Sequence, residues 1–305
     1  MENSKVRVRL YKEEAEHLEI TPRKNDNRRA NTQYIITEEQ KKQIHKLRSC
    51  KVKRLFFDIE TTPMIVYSWR VGWKLTIPAT NIIEDWKIIC ISYKWESDDK
   101  VKHFIWDKDQ CDKQMLIDFI KVANQADELI AHNGDRFDIK KIRTRCIYHR
   151  VPMFPNYRSL DTLKKAKSGF SFNSNRLDYI AKFLGVGAKV QHEGFDMWVK
   201  CMKGDEQALK DMVYYCDGDI VVLEDVFLEM KNYMKHNTHA GVVSGGYKHE
   251  CPSCGNEDAV LLKNNFTAAG TIKRLMECDA CEFTYEVSNS AYRFMLEMKS
   301  NNNII

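Results

Sequence analysis

The sequence has no long hydrophobic run and no apolar N-terminal leader. No stretch approaches the roughly 18 uninterrupted apolar residues that a membrane-spanning helix needs. The N-terminus, MENSKVRVRLYKEEAEHLE, lacks the apolar core of a secretory signal. We therefore expect a cytoplasmic protein with no membrane partner.

The cysteines lack the pattern of a disulfide framework. Six of the ten are scattered without regular spacing, namely Cys50, Cys90, Cys111, Cys146, Cys201 and Cys216. The other four form two CxxC pairs, Cys251 with Cys254 and Cys278 with Cys281. This distribution favours a reducing compartment and one metal site.

Most of the chain also lacks an excess of charge of one sign. Residues 1 to 54 hold 15 Lys or Arg against 8 Asp or Glu, whereas residues 55 to 305 hold 33 against 35. The net charge of +5 is therefore set by the N-terminal segment. Such a segment could bind phosphates without sequence preference through counterion release. A solubilising tail, or an arm that docks on another protein, is the alternative.

A basic N-terminal segment, residues 1–53, precedes the first buried element. Residues 1–35 show no sustained apolar period and are predicted to be mostly extended or disordered. Residues 37–48, TEEQKKQIHKLR, predict one short helix. Thr37 can cap it, and acidic residues in its first turn and basic residues in its last turn match the helix dipole.

Residues 54–235 have the pattern of an α/β domain. RLFFDIETT, WKIICISYKW and KVKHFIWD read as strands, DKQMLIDFIKVANQA as a helix, and ELIAHN as a further strand. Helices are predicted at RFDIKKIRTRCIYHR, DTLKKAK, RLDYIAKFLG and ALKDMVYYCDGDIVVLEDVFLEMKNYM. This order describes a mixed sheet flanked by helices. With 43% hydrophobic residues, the 305-residue chain can bury one large domain with small appendages.

Three acidic clusters lie in this domain. Asp58 and Glu60 are two apart in an apolar strand, so both leave one face of the sheet and can reach one cation. Asp138, in AHNGDRFD, lies where a strand gives way to a helix, and we expect the ring of Phe137 to anchor that turn to the core. Asp135 reads as a helix cap.

The third cluster is YCDGD. Tyr215 and Asp219 are four apart on a helix and therefore share one face, while Asp217 is predicted to point elsewhere, into solvent. Each cluster alone also fits a surface turn, a solvated helix residue or a packed tyrosine. Asp161 and Asp178 are read as caps or surface residues.

The ordered set FDIET, HNxxxFD and YxxxD, within about 160 residues, resembles the DEDD superfamily of 3'-to-5' exonucleases. Tyr215 stands where one branch of that superfamily has histidine, so the chain resembles the tyrosine branch. The similarity covers roughly residues 54 to 235, including LDTLKKAK and NRLDYIAKFLG. It is nearest to the proofreading domains of family B DNA polymerases and to stand-alone exonucleases of phages. Only 70 residues follow the predicted domain, which ends at residue 235, so we expect no polymerase.

The resemblance implies an RNase H-like fold and catalysis by two Mg²⁺ or Mn²⁺ ions. Asp58, Glu60 and Asp219 would hold one ion, and Asp58 would bridge to a second that Asp138 holds through water. Tyr215 would orient the attacking water, since a phenol with a pKa near 10 is a poor base at neutral pH.

The implied substrate is the 3' end of single-stranded DNA, in replication or repair, and in the host cytoplasm if the protein is viral. A 3'-to-5' exoribonuclease remains an alternative, because nothing in the sequence identifies a contact to the 2'-hydroxyl. Two further alternatives are an endonuclease that uses the same ions and a non-catalytic zinc-ribbon adaptor that binds nucleic acid in a replication complex.

The last part of the chain predicts a zinc ribbon. Residues 236–250 are rich in glycine and read as a linker, and residues 251–299 hold the two CxxC pairs, 23 residues apart, with three short apolar stretches. Four thiolates complete a tetrahedron, so we expect one structural Zn²⁺. Residues 248–299 hold 6 Lys or Arg against 8 Asp or Glu. For the ribbon, a replication-protein partner is therefore as reasonable as nucleic acid, whereas for the basic N-terminal segment nucleic acid comes slightly before such a partner.

Overall fold

The computed structural model describes residues 5–10, 32–37, 40, 52–72, 74–96, 98–190 and 194–301. The chain divides into two compact units, Lys53–Asn237 on the one hand and Met1–Val52 with Thr238–Ile305 on the other. None of the helices in these ranges is long and apolar enough to cross a bilayer.

Two antiparallel strands form near the N-terminus, β1 (Lys5–Leu10) and β2 (Thr32–Thr37). At the end of β2, the Thr37 N–H donates to Gln40 Oε1 (3.0 Å) and the Gln40 N–H donates to Thr37 Oγ1 (3.1 Å). This is a capping box, the helix start predicted for Thr37. The rest of the predicted helix at 37–48, and most of residues 1–35, lies outside the described residues.

The larger unit contains the α/β fold. Its strands are β3 (Arg54–Thr61), β4 (Ile65–Val66), β5 (Ile82–Glu84), β6 (Ile88–Trp95), β7 (Lys102–Ile105), β8 (Glu128–Ala131) and β9 (Ser159–Asp161). Five of them form one mixed sheet in the order β7-β6-β3-β8-β9, and β4 pairs with β5 separately. β3 is antiparallel to β6 but parallel to β8, which is parallel to β9.

Helices cover both faces of the sheet. They are α1 (Lys113–Ala123), α2 (Asp138–His149), α3 (Thr162–Gly169), α4 (Leu177–Leu184), α5 (Asp196–Met202) and α6 (Glu206–Met230). The predicted mixed sheet flanked by helices is confirmed. The pattern missed β9, α5 and the β4–β5 pair, which are too short to show a hydrophobic period.

The alternation of side chains along β3 divides the core. Leu55 and Phe57 pack on one face with α1 and α2, and Phe56 packs on the other with α3, α4 and α6. Because β3, β8 and β9 run parallel, their C-terminal ends meet at one edge of the sheet, where α/β proteins commonly bind ligands.

The C-terminal part holds the helical turn α7 (Ala240–Val243), inside the predicted linker, and a three-stranded antiparallel sheet. The strands are β10 (Ala259–Phe266), β11 (Ile272–Cys278) and β12 (Thr284–Ser288). They match the three predicted apolar stretches. A helix that the pattern did not indicate, α8 (Asn289–Asn301), follows them.

Candidate functional site

Three of the predicted carboxylates converge at the C-terminal edge of the sheet. Asp58 and Glu60 on β3 and Asp219 on α6 each have an oxygen within 4.8 Å of the others. Asp58 and Glu60 are half-buried and Asp219 is buried. We call this group the acidic triad.

The fold explains why the triad forms. Asp58 and Glu60 share the face of β3 with Phe56, whose ring lies 5.4 Å from that of Phe227 on α6. The helix therefore covers the face from which both acids project. On α6 the buried side chains recur at helical spacing, and Asp219 stands within that apolar stripe.

The surroundings of the triad oppose its full ionisation. Burial, followed by repulsion from Asp219, raises the pKa of Asp58 to about 7. Burial, followed by repulsion from Asp58 and Asp219, raises the pKa of Glu60 to about 8. An added cation would relieve both effects, since it favours the charged form of each carboxyl.

Asp138, the fourth predicted acid, stands apart from the triad. It is the first residue of α2, is buried, and its Oδ1 accepts a hydrogen bond from the Ile59 N–H at 3.3 Å. Burial and repulsion from Asp58 raise its pKa. Asp138 therefore interacts electrostatically with the triad, although it is not part of the group whose carboxylate oxygens lie within 4.8 Å of one another.

Tyr215 lies beside the triad on α6, half-buried. Its ring centroid is 6.2 Å from that of Trp198, whose indole also hydrogen-bonds Glu60. Burial, followed by repulsion from Asp219, raises the pKa of Tyr215 to about 12. The phenol is therefore neutral at physiological pH and can donate a hydrogen bond, but it cannot serve as a base.

A lysine that the sequence did not indicate completes the site. Lys189 Nζ lies 2.5 Å from Asp219 Oδ2 and 5.6 Å from the Tyr215 ring centroid. Burial is the largest single effect and lowers its pKa, but attraction and the hydrogen bond to Asp219, together with attraction to Tyr215 and Asp58, raise the pKa overall. Lys189 therefore brings a permanent positive charge to the triad.

Gly218 permits this approach of the Lys189 loop to α6. A Cβ built on Gly218 would lie 2.5 Å from Cγ2 of Val190, the neighbour of Lys189. A larger residue at this position would force the Val190 side chain, or the loop that carries it, to shift. The glycine of YCDGD is therefore needed for close packing of α6 against the Lys189 loop. It is the one sequence feature that could have indicated this contact.

Three expectations about neighbouring residues were wrong. Asp217 is not solvated: it is half-buried and accepts hydrogen bonds from Ser92 Oγ (2.6 Å) and His103 Nδ1 (3.1 Å). Asp135 does not cap a helix but pairs with Lys164 (2.7 Å), while Asp161 caps α3. Phe137 is exposed rather than anchored in the core, because it occupies the N-cap position of α2, outside the buried stripe.

The four cysteines form a second, separate cluster. Cys251, Cys254, Cys278 and Cys281 are buried with their sulfurs within 4.8 Å of one another. The Cys251–Cys281 and Cys254–Cys278 sulfur distances are both 3.6 Å. This is far longer than a disulfide bond and close to the ~3.8 Å edge of a tetrahedron with Zn–S bonds of about 2.3 Å. The cysteines are therefore positioned for a zinc site.

The two CxxC turns have the same backbone geometry. In each, the N–H four residues after the first cysteine donates to that cysteine's carbonyl, from Gly255 to Cys251 (2.8 Å) and from Glu282 to Cys278 (2.9 Å). Gly255 and Glu282 both adopt left-handed backbone angles, with φ of 76° and 60°. The cluster is thus built from two equivalent knuckles.

One family model and one solved structure are similar to this chain. Residues 80–230 match the family model described as the RNase_H superfamily, a range that includes Asp138, Tyr215 and Asp219 but begins after Asp58 and Glu60. The chain is similar to the family B DNA polymerase from the hyperthermophilic archaeon Pyrobaculum calidifontis, with 14% identity and a TM-score of 0.46. That likeness covers 63% of this chain and 26% of the polymerase. No curated protein matches the sequence. The family-model match and the mixed sheet flanked by helices together show that the α/β unit is RNase H-like in fold.

Proposed function

We propose that this protein is a metal-dependent 3'-to-5' exonuclease that hydrolyses phosphodiester bonds at the 3' ends of single-stranded DNA, in replication or repair. The observation that carries the proposal is the convergence of Asp58, Glu60 and Asp219, from two distant parts of the chain, into one cluster beside Tyr215. An RNase H-like fold implies a nucleic-acid substrate in general.

The residues present fit a divalent cation. The raised pKa values of Asp58 and Glu60 indicate too little positive charge at the triad, although Lys189 is already there. An oxygen-only donor set favours Mg²⁺ or Mn²⁺. The triad would hold one ion, and Asp58 with Asp138, through water, a second. Bound ions would supply activation of a water and stabilisation of the departing 3' oxygen.

The protein's own groups would position the reacting atoms. Tyr215, with its proton retained, would orient the attacking water by a hydrogen bond. Trp198 holds Glu60 by a hydrogen bond and so fixes that carboxylate in the site. Asp138, tied to the backbone of β3 by its hydrogen bond from Ile59, would be held in a fixed position beside Asp58.

The proposal is tested with a DNA oligonucleotide that carries a label at its 3' terminus. Asp58→Asn should abolish release of the label in Mg²⁺ or Mn²⁺. Asp217→Asn is the matched control, because Asp217 is a half-buried acid of α6 that bonds to Ser92 and His103 instead of joining the triad. If both variants degrade the oligonucleotide like the parent, the proposed site is wrong.

Two further substrates define the specificity. An RNA of the same sequence distinguishes a deoxyribonuclease from an exoribonuclease, which should degrade it faster than the DNA. A circular single strand has no 3' end and should remain intact. Its degradation would instead indicate an endonuclease that uses the same carboxylates.

We propose a structural role for the zinc, since four protein sulfurs leave no open coordination position. The ribbon and the basic N-terminal segment would then serve contacts with nucleic acid or with a replication protein. In this arrangement zinc supports the fold of the ribbon, and the chemistry belongs to the acidic triad.

A further inference from the structure

The segment that follows the triad strand exposes large aromatic side chains. β3 ends at Thr61, and the chain then runs out through β4 and returns through β5, a segment that we call the hairpin (residues 64–84). Tyr67 is 73% exposed and Trp69 is fully exposed, at 102%. A tryptophan without any cover is unusual, because this side chain ordinarily buries most of its large surface.

The hairpin is held firmly where it leaves the sheet. The Thr62 N–H donates to the Lys87 carbonyl (2.9 Å), and the Lys87 N–H donates to Thr62 Oγ1 (2.9 Å). Further out, the Tyr67 N–H donates to the Asn81 carbonyl (2.9 Å), and Asn81 Nδ2 donates to the Tyr67 carbonyl (3.1 Å). The exposed aromatics therefore stand on an ordered support.

This support begins beside the triad. Tyr67 is seven residues from Glu60, so the two cannot be more than about 24 Å apart along an extended chain. A single strand of about four or more nucleotides, the smallest length that single-strand binding folds usually cover, can span such distances. A strand with its end in the triad can thus reach the aromatics.

The charge of the hairpin suits a polyanion. The hairpin contains Arg70 and Lys74, and its single acidic residue, Glu84, pairs with Lys87 at 2.6 Å. Within the described part of the chain, no carboxylate pairs with either cation. Aromatic rings next to unpaired cations are the combination that binds single-stranded nucleic acid, by base stacking and phosphate neutralisation.

A third cation lies at the base of the hairpin. Lys141 Nζ on α2 is 3.8 Å from the Trp86 ring centroid, at the base of the hairpin, and 3.5 Å from Thr61 Oγ1, next to Glu60. Among the described residues, no carboxylate forms an ion pair with Lys141, and the same holds for Arg70. The Trp86 ring thus holds an ammonium group where the chain leaves β3 for the hairpin.

We propose that the hairpin and Lys141 form a binding platform for the single-stranded nucleic acid whose 3' end enters the acidic triad. Bases would stack on Tyr67 and Trp69, and Lys141 would contact a backbone phosphate between them and the triad. This inference rests on the proposed function for the direction of the strand. The platform itself depends only on the hairpin and Lys141.

The test measures binding of a labelled single strand of about 12 nucleotides by fluorescence anisotropy. All proteins carry Asp58→Asn so that the strand stays intact. Tyr67→Ala with Trp69→Ala should raise the Kd at least about tenfold, because each stacked base contributes substantially to affinity. Tyr233→Ala, which removes another exposed aromatic of the same unit, should leave the Kd unchanged.

The contribution of Lys141 is measured by salt dependence. Lys141→Met should reduce the slope of log Kd against log salt concentration by about 0.7, the value for one phosphate contact on a single strand. Lys140→Met is its matched control, since Lys140 is the exposed neighbour on the same helix and has no ring beneath it among the described residues. Equal slopes for the two variants would overturn the phosphate contact.

Failure of the platform and failure of the nuclease proposal give different results. If the parent with Asp58 intact degrades the strand, and the Tyr67→Ala, Trp69→Ala variant binds and degrades it equally well, only the platform is wrong. If the parent binds through Tyr67 and Trp69 but releases no label, only the nuclease is wrong. If the parent binds no strand and instead forms a dimer that the double variant abolishes, the patch is a protein interface and the platform is overturned.

Discussion

Lys189 Nζ lies 2.5 Å from Asp219 Oδ2, so the protein neutralises part of its acidic triad with its own ammonium group. A divalent cation bound by Asp58, Glu60 and Asp219 would act on the same carboxylates. We therefore expect the Lys189 ammonium group and a bound metal ion to stabilise the same negative charge. This charge lies in a site that water reaches only in part.

Lys189→Met should destabilise the protein strongly without Mg²⁺ and weakly with it. Removing one partner of a buried ion pair costs about 3 to 5 kcal/mol, and the partial exposure of Lys189 reduces this to about 2 to 3 kcal/mol. A bound ion would replace most of the lost charge. Denaturant unfolding with and without Mg²⁺ measures both values.

Lys182→Met is the control for this experiment. Lys182 pairs with Asp178 at 2.7 Å, but its side chain is 55% exposed and the pair lies one turn apart on α4. We expect a loss within about 0.5 kcal/mol, with no dependence on Mg²⁺. A Lys189→Met deficit of the same size with and without Mg²⁺ would show that the lysine does not substitute for the ion.

Without divalent ions, the protein should lose stability as the pH rises from about 4 to about 8. The pKa values of Asp58 and Glu60 rise from their ordinary 3.8 and 4.5 to about 7 and about 8, mainly through burial. Between those limits the folded protein keeps protons that the unfolded chain has released, so raising the pH favours unfolding. Saturating Mg²⁺ should flatten this decline.

Comparison with an Asp58→Asn, Glu60→Gln variant isolates the triad from other groups. His236 acts in the opposite direction, because burial, followed by repulsion from Arg54, lowers its pKa to about 4. The stability that the neutral His236 contributes is therefore lost as the pH falls below about 6.5. Both proteins contain His236. The difference between their unfolding free energies should therefore grow with pH, and a constant difference would contradict the raised pKa values.

Local spacing in the sequence indicated the candidate acids, and the resemblance to the exonuclease superfamily joined Asp58, Glu60 and Asp219 into one predicted site. Asp58 and Glu60 interrupt an apolar strand at a spacing that fixes their common face, and Asp219 interrupts the apolar stripe of a helix. Lys189 carries no such signal. It reaches Asp219 across 30 residues through a loop whose path depends on the packing of Val190 against Gly218, which is a tertiary contact.

Two aromatic side chains, Phe137 and Trp69, are exposed in ways that the sequence pattern did not predict. Phe137 was predicted to be buried because it is apolar, yet its place at the start of α2 leaves it exposed. Trp69 lies beyond a two-residue strand, too short for any alternation that would indicate which side faces solvent. Apolarity alone does not tell whether a side chain belongs to the core or to a binding surface.

Tyr215→Phe should reduce the rate of hydrolysis by about 10- to 100-fold, the effect of losing one hydrogen bond to a charged reacting group. Because the pKa of Tyr215 is about 12, its proton stays in place and the pH profile should keep its shape. Tyr214→Phe, at the exposed neighbouring position, should have no effect. Loss of an alkaline limb in Tyr215→Phe would show that the phenolate acts as a base.

If the four cysteines bind zinc as proposed, their two CxxC knuckles should respond differently to substitution of the residue that follows the second cysteine, Gly255 or Glu282. Gly255→Ala introduces a Cβ where the backbone is left-handed, which costs about 1 to 2 kcal/mol. Glu282→Gly relieves a similar strain, and this gain offsets the extra entropy of an unfolded glycine, about 0.5 to 1 kcal/mol. Transfer of zinc to a coloured chelator should therefore be faster than in the parent for Gly255→Ala and no faster for Glu282→Gly. Equal acceleration in both variants would mean that the left-handed turns do not control how firmly the four cysteines hold the ion.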